Sequence, residues 1–166
     1  MGEKSFLERI ASYIPGYGGY KSKEVRRESD ALLRRHIASI LSESLAVLTL
    51  SPSDVRAVAA SPEARYLWES VKTALERVLQ RIDKAPHGYA GFFDLVKIDD
   101  SVLDAVYRHD LSLVEYAREV FQQAAAVKSL KAGSSEWVEA LRRLQTSIEK
   151  LDVEIDQRRR VLRRVG

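Results

Sequence analysis

The sequence predicts an all-α fold: an antiparallel helical bundle of five or six helices, ending in a long heptad-patterned C-terminal helix. Three observations predict it. Apolar residues recur at spacings of three and four along most of the 166 residues. Helix start and stop residues punctuate those runs. No segment alternates like a half-buried strand for more than a few residues. The length suits a single helical domain, 1–166. Residues 1–131 read as the bundle core with two Gly/aromatic loops, and 134–166 as a coiled-coil-like helix with an Arg-rich end.

The elements follow in order. Ser5 to Ile14 reads as a short amphipathic helix with Phe6, Leu7, Ile10 and Ile14 on one side. Ser5 is its N-cap, with Glu8 three residues on, and Pro15 ends it. Gly16-Tyr17-Gly18-Gly19-Tyr20 is a loop. Ser22 is expected to cap a second helix ending near Leu50, with Val25, Leu32, Leu33, His36, Ile37, Ile40, Leu41, Leu45 and Leu48 inward. Asp30 and Arg34 form an opposite-charge pair one turn apart on it. Ser51-Pro52 breaks that helix, and Ser53 is expected to cap a short connector ending at Ala59.

Ser61-Pro62-Glu63 combines a cap, proline at the first helical position and an acid in the first turn. The helix it starts should reach about Lys84, with Leu67, Val71, Ala74, Leu75, Val78, Leu79 and Ile82 in its buried stripe and Trp68 beside it. A second Gly/aromatic loop follows, His87-Gly88-Tyr89-Ala90-Gly91-Phe92-Phe93-Asp94, with a short helix or extended segment over Phe92 to Val96. Asp99 or Asp100 should cap a helix from Ser101 to His109. Asp110 should cap its continuation from Leu111 to about Lys131, closed by Gly133. Ser134 or Ser135 then caps the last helix. Its residues Trp137, Leu141, Leu144, Ile148, Leu151 and Ile155 alternate spacings of four and three, which is a heptad seam. The expected core gathers Ile37, Leu41, Leu45, Leu75, Val78, Leu79, Val120, Leu144, Ile148 and Leu151.

Composition narrows the chemistry. The chain has no cysteine, which removes disulfides, iron–sulfur clusters and thiolate zinc sites and suits a reducing compartment. No run approaches the length of a membrane-spanning helix. Met1-Gly2-Glu3-Lys4 lacks the apolar core of a signal peptide, so the expected location is cytoplasmic and a membrane partner is not expected. The chain has no asparagine and one methionine and prefers arginine, a bias that points to a thermophilic source.

The net charge of +3 is unevenly spread. Between Asp83 and Glu119 eight acids face four bases, a local balance of −4, whereas 158–166 hold five arginines and no acid. Such an end suits phosphates, an acidic surface or the acidic half of the chain itself.

Each candidate site in the sequence also has a plainer reading. The two Gly/aromatic loops either meet as a docking site or cap the end of the bundle with their rings. Neither is a nucleotide fingerprint, because no strand precedes Gly16 and no Gly-Lys-Ser/Thr occurs. A carboxylate-bridged metal bundle would need Glu-x-x-His pairs, and none occurs. His36 lies on an apolar face and reads as a satisfied core histidine. The acids at 94, 99, 100, 104 and 110 cluster as the other candidate metal donors, and Asp100 and Asp104, one turn apart, read as solvated helix charge. An enzyme would gather His87, Asp94 or His109 in a cleft; no hydrolase motif supports one, and no catalytic residue, metal or cofactor is assigned.

The run Ile14-Pro15-Gly16-Tyr17-Gly18-Gly19-Tyr20-Lys21, with Glu24, Arg26-Arg27 and Asp30 after it, resembles the opening of an uncharacterised family of prokaryotic helical proteins. Gly88-Tyr89-Ala90-Gly91-Phe92-Phe93-Asp94 with Lys97 is similar to that family's second signature. The resemblance covers about the first two-thirds of the chain. It implies that both loops belong to one unit, and it carries no activity or catalytic residue.

The expected function is therefore a non-enzymatic interaction or scaffold protein. Its partner would be another protein or a second copy of itself, through a homodimer over 134–166. The alternative is an RNA- or ribosome-associated factor using the arginine-rich end and the loop tyrosines. The residues expected at the partner surface are Tyr17, Tyr20, Lys21, Arg26, Arg27, Tyr89, Phe92, Phe93, Arg158, Arg159, Arg160, Arg163 and Arg164.

Overall fold

The structure, a computed structural model, describes residues 5–83 and 100–164. These residues form an all-α bundle: α1 Phe6–Tyr13, α2 Lys23–Val47, α3 Pro52–Ala59, α4 Pro62–Asp83, α5 Asp100–Lys128 and α6 Ser135–Arg164. No strand occurs among them. The expectation for Phe92 to Val96, Asp99 as a cap, and the whole second Gly/aromatic loop lie outside the described residues.

Four long helices close a ring. α5 packs on α6 and α2, and α4 packs on the same two helices from the opposite corner. Polar contacts give their directions. His109 meets Glu154 and Glu119 meets Ser147, so α5 and α6 run opposed. Glu63 meets Arg142 and Arg81 meets Asp152, so α4 and α6 run together. Tyr20 meets Tyr107 before α2 begins and Lys128 meets Thr49 after α2 ends, so α2 and α5 also run together. Successive long helices still alternate in direction along the chain.

The core runs the length of this ring. Ile37, Leu41, Leu75, Val78, Val120, Leu144, Ile148 and Leu151 are buried in it, and Leu45 and Leu79 are half-buried at its margin. Trp137 and Leu141 are buried as well, so the inner stripe of α6 faces α4 and α5 within the same chain. Burying a residue of this size removes apolar surface worth about 1.5–3 kcal/mol from water. α1 lies across α5: Arg108 sits 5.2 Å from the Phe6 ring centre, Arg118 sits 4.7 Å from that of Tyr13, and Arg9 pairs with Glu115 at 2.9 Å.

The helix starts follow local chemistry, with two corrections. Ser5 and Glu8 make a reciprocal capping box, and Ser61 and Ser134 accept from the Ala64 and Trp137 N–H groups. The connector α3 is capped by Ser51, not Ser53. Ser51 Oγ accepts from Asp54 N–H and Pro52 takes the first helical position, where its missing N–H costs nothing. The larger correction concerns α5. It is one unbroken helix through Asp110, so Asp110 caps nothing. Smaller differences are that α2 stops at Val47, α5 stops at Lys128, and Ser22 makes no side-chain cap bond.

Candidate functional site

The first Gly/aromatic loop folds inward onto the start of α5. Gly16 and Gly19 adopt φ of 86° and 81°, a region that side-chain-bearing residues rarely enter. At Gly19 the space is also filled. A Cβ there would collide with the Tyr107 hydroxyl and meet Leu7 Cδ1 at 3.1 Å. The resulting turn drives Tyr17 and Tyr20 into the core beneath it.

Hydrogen bonds tie the turn down. Tyr20 O–H donates to Asp110 Oδ2 at 2.7 Å and Tyr17 O–H donates to the same oxygen at 3.0 Å. Tyr20 N–H donates to Tyr107 Oη at 2.9 Å. Arg26 Nε donates to the Tyr20 carbonyl at 2.7 Å, and Ser29 Oγ donates to that of Gly19 at 2.8 Å. The Tyr20 ring stacks on Tyr107 and meets Tyr17 edge-on, each at 5.9 Å between centres.

Asp110 is 0% exposed, and a buried carboxylate is costly unless donors surround it. The two tyrosine hydroxyls provide such donors. Burial, reinforced by the Asp110 charge, pushes the Tyr17 hydroxyl well above the usual tyrosine range; burial also raises that of Tyr107. Both stay protonated at neutral pH and act as donors or acceptors, not as bases. The chemistry available here is attachment of the loop to α5 and α2.

Outside this knot, α2 presents an open groove of about 590 Å³ where it passes the end of α4. Arg27, Arg34 and Arg35 line it together with the small residues Ala31, Ala38 and Ser42 and the acids Asp30 and Asp83. Asp30 holds Arg34 at 3.1 Å, while Arg27 and Arg35 stand exposed.

The residues expected at a partner surface therefore separate. Tyr17, Tyr20 and Arg26 are buried in the knot, so the tyrosines cap the bundle from within and do not stack on a partner. Lys21 and Arg27 are exposed. Tyr89, Phe92 and Phe93 lie outside the described residues, as do His87 and Asp94. The α6 backbone runs helically through Arg158, Arg159, Arg160, Arg163 and Arg164, whose side chains are outside the described set.

The histidines do not converge. His109 is buried between α5 and α6, its Nδ1 2.9 Å from Glu154 Oε1, and burial raises the Glu154 carboxyl. His36 lies on the α2 face toward Arg118, where burial and then that cation lower its pKa. Its Nε2 is buried without a hydrogen-bond partner among the described residues, so it is not the satisfied core histidine expected. No group of three or more potential metal-ligating side chains gathers among the described residues, and Asp100 and Asp104 are exposed. None of the described helices is long and apolar enough to cross a membrane.

Tyr107, Ser29 and Asp110 carry the knot and were missed as its partners. A signal existed. Asp110 falls on the apolar stripe of Leu103, Val106, Val114 and Ala117, and a lone acid in such a stripe needs donors. Comparison of the chain with known protein families, with curated proteins and with solved structures gives no match.

Proposed function

We propose that the chain is a non-enzymatic interaction protein of the cytoplasm, and that the outer face of α2 takes an acidic segment of a protein partner. The observation that carries this reading is the α2 groove. Arginine pairs with carboxylates in a fixed, two-pronged geometry, and Arg27 and Arg35 stand exposed over small residues that admit a helix or strand. The buried state of the knot supports it from the other side, since Tyr17, Tyr20 and Asp110 are engaged with one another. A homodimer through 134–166 would have to use the outer face of α6, where Val153 is 57% exposed, because the inner seam is covered by the chain itself.

The alternative is an RNA- or ribosome-associated factor. It draws on the same α2 arginines and the arginine-rich end of α6, without Tyr17 and Tyr20 as stacking platforms. One experiment separates the readings. Tagged full chain and an Arg27→Glu/Arg35→Glu variant are used for capture from the native cell at low salt. The proposal expects a nuclease-resistant protein partner, lost with the double variant. Nuclease-sensitive material that disappears on deleting 156–166 would support the RNA reading. Identical material from wild type and double variant would end the α2 proposal.

A further inference from the structure

At the end of the bundle away from the knot, the last turn of α2, the segment after it, α3 and α4 line an open pocket of about 170 Å³. Leu45, Leu48, Leu50 and Val55 make most of its wall apolar, and Thr49, Trp68 and Lys72 complete it. Three features of this lining are unexplained by packing alone. Trp68 Nε1 is buried and has no hydrogen-bond partner among the described residues. Native structures rarely leave a buried N–H unmet. Lys72, exposed, places its Nζ over the Trp68 ring at 5.3 Å from the centre, a cation–π contact, and makes no ion pair among the described residues. Val55 leaves half its surface exposed, at 50%, beside this apolar space.

We propose that the cavity binds a small monocarboxylate with an apolar body, an aryl or branched-alkyl acid. The size fits, because an apolar cavity of about 150 Å³ is enough to hold benzene. The apolar body would lie on the leucine walls. The carboxylate would accept from the Lys72 ammonium and from the Trp68 indole N–H, giving the cation a counter-charge and the buried donor an acceptor. A neutral ligand of the same shape would leave Lys72 unanswered. An amine would meet a like charge. The site is independent of the α2 groove, which lies toward the other end of α2, so the failure of either leaves the other untouched.

The test follows the two indole N–H signals of the full chain by ¹⁵N-labelled NMR, with phenylacetate, 3-methylbutanoate and benzyl alcohol as probes. Phenylacetate should bind saturably and move the Trp68 signal downfield, and benzyl alcohol should bind more weakly. Lys72→Gln, at an exposed position, should weaken phenylacetate about tenfold, as expected for loss of one charge-assisted contact, and leave benzyl alcohol unchanged. Val55→Trp, also at an exposed position, should fill the space and weaken both. No saturable shift with either acid overturns the proposal. So does equal binding of phenylacetate by wild type and Lys72→Gln, or a Trp68 signal that stays still while the acid binds. The last result would mean that water already serves the indole, for which an adjoining void of about 20 Å³ beside Trp68 has room.

Discussion

Replacing Gly19 with alanine tests how the loop is held. Two costs add at this position. The backbone φ of 81° is left-handed, which costs a side-chain-bearing residue about 1–2 kcal/mol. The new Cβ would also occupy the place of the Tyr107 hydroxyl. Tyr107 must then move, and the bond it accepts from Tyr20 N–H is worth about 1 kcal/mol. The expected loss is about 2–3 kcal/mol, which for a chain of this size lowers the midpoint of thermal unfolding by about 4–12 °C. Gly16 is the internal control. Its φ of 86° imposes the same strain, but a Cβ there meets only Leu32 Cδ1, at an ordinary 3.6 Å. Gly16→Ala should therefore cost about 1–2 kcal/mol. Urea unfolding of both variants reads the difference. A double-mutant cycle with Tyr107→Phe should show Gly19→Ala relieved by about 1 kcal/mol once the hydroxyl is gone. Equal losses at the two glycines, or no coupling to Tyr107, would refute the claim that the loop is clamped from α5.

Further outcomes follow from the same geometry. Asp110→Ala should cost about 3 kcal/mol by urea unfolding, because two buried tyrosine hydroxyls lose their acceptor; Asp104→Ala, exposed on the same helix, should cost under about 0.5 kcal/mol. Ser51→Ala should destabilise by about 1 kcal/mol and Ser53→Ala by much less; the reverse order would restore Ser53 as the cap of α3. His36 has a lowered folded-state pKa, so the unfolded chain takes up its proton first as pH falls. Its contribution is intact above pH 6.5 and declines as pH drops from there toward the folded-state value. Unfolding curves for His36→Gln should lose that part of the acid sensitivity, and an unchanged pH profile would show that His36 contributes none.

Local signals in the sequence carried the helices, while contacts between distant segments carried the site. Ser61-Pro62-Glu63 announces α4 because cap, proline and acid each act within one turn. Trp137, Leu141, Leu144, Ile148 and Leu151 announce the inner face of α6 because burial repeats with the helical period. The turn at Gly16 and Gly19 was equally legible. Its destination was not: Tyr17 and Tyr20 bond to a residue 93 and 90 positions along the chain, and no periodicity reports that distance. Asp110 was then misread because an aspartate after His109 looks like a cap when only neighbours are considered. The apolar residues on both sides of it at helical spacing were the better guide. The cavity beside Trp68 was hidden for a different reason. It depends on where α2 stops and how α3 crosses, and helix ends are the features a repeating pattern defines least.

The two ends of the bundle solve opposite problems. At the knot, charged and polar groups lie in the core, so the described donors and acceptors must be matched closely or the buried carboxylate becomes a liability. Such a place tolerates little change and offers little to a partner. At the far end the walls are mostly aliphatic and impose few geometric demands, yet an indole and an ammonium line a space large enough for a ring. The space opens to solvent where α2 ends and α3 crosses, beside the exposed Val55 and Lys72. Packing explains why Tyr20, Leu33 and Leu75 are where they are; it does not explain why the Trp68 N–H has no hydrogen-bond partner among the described residues. A binding role would account for both the unmet donor and the space.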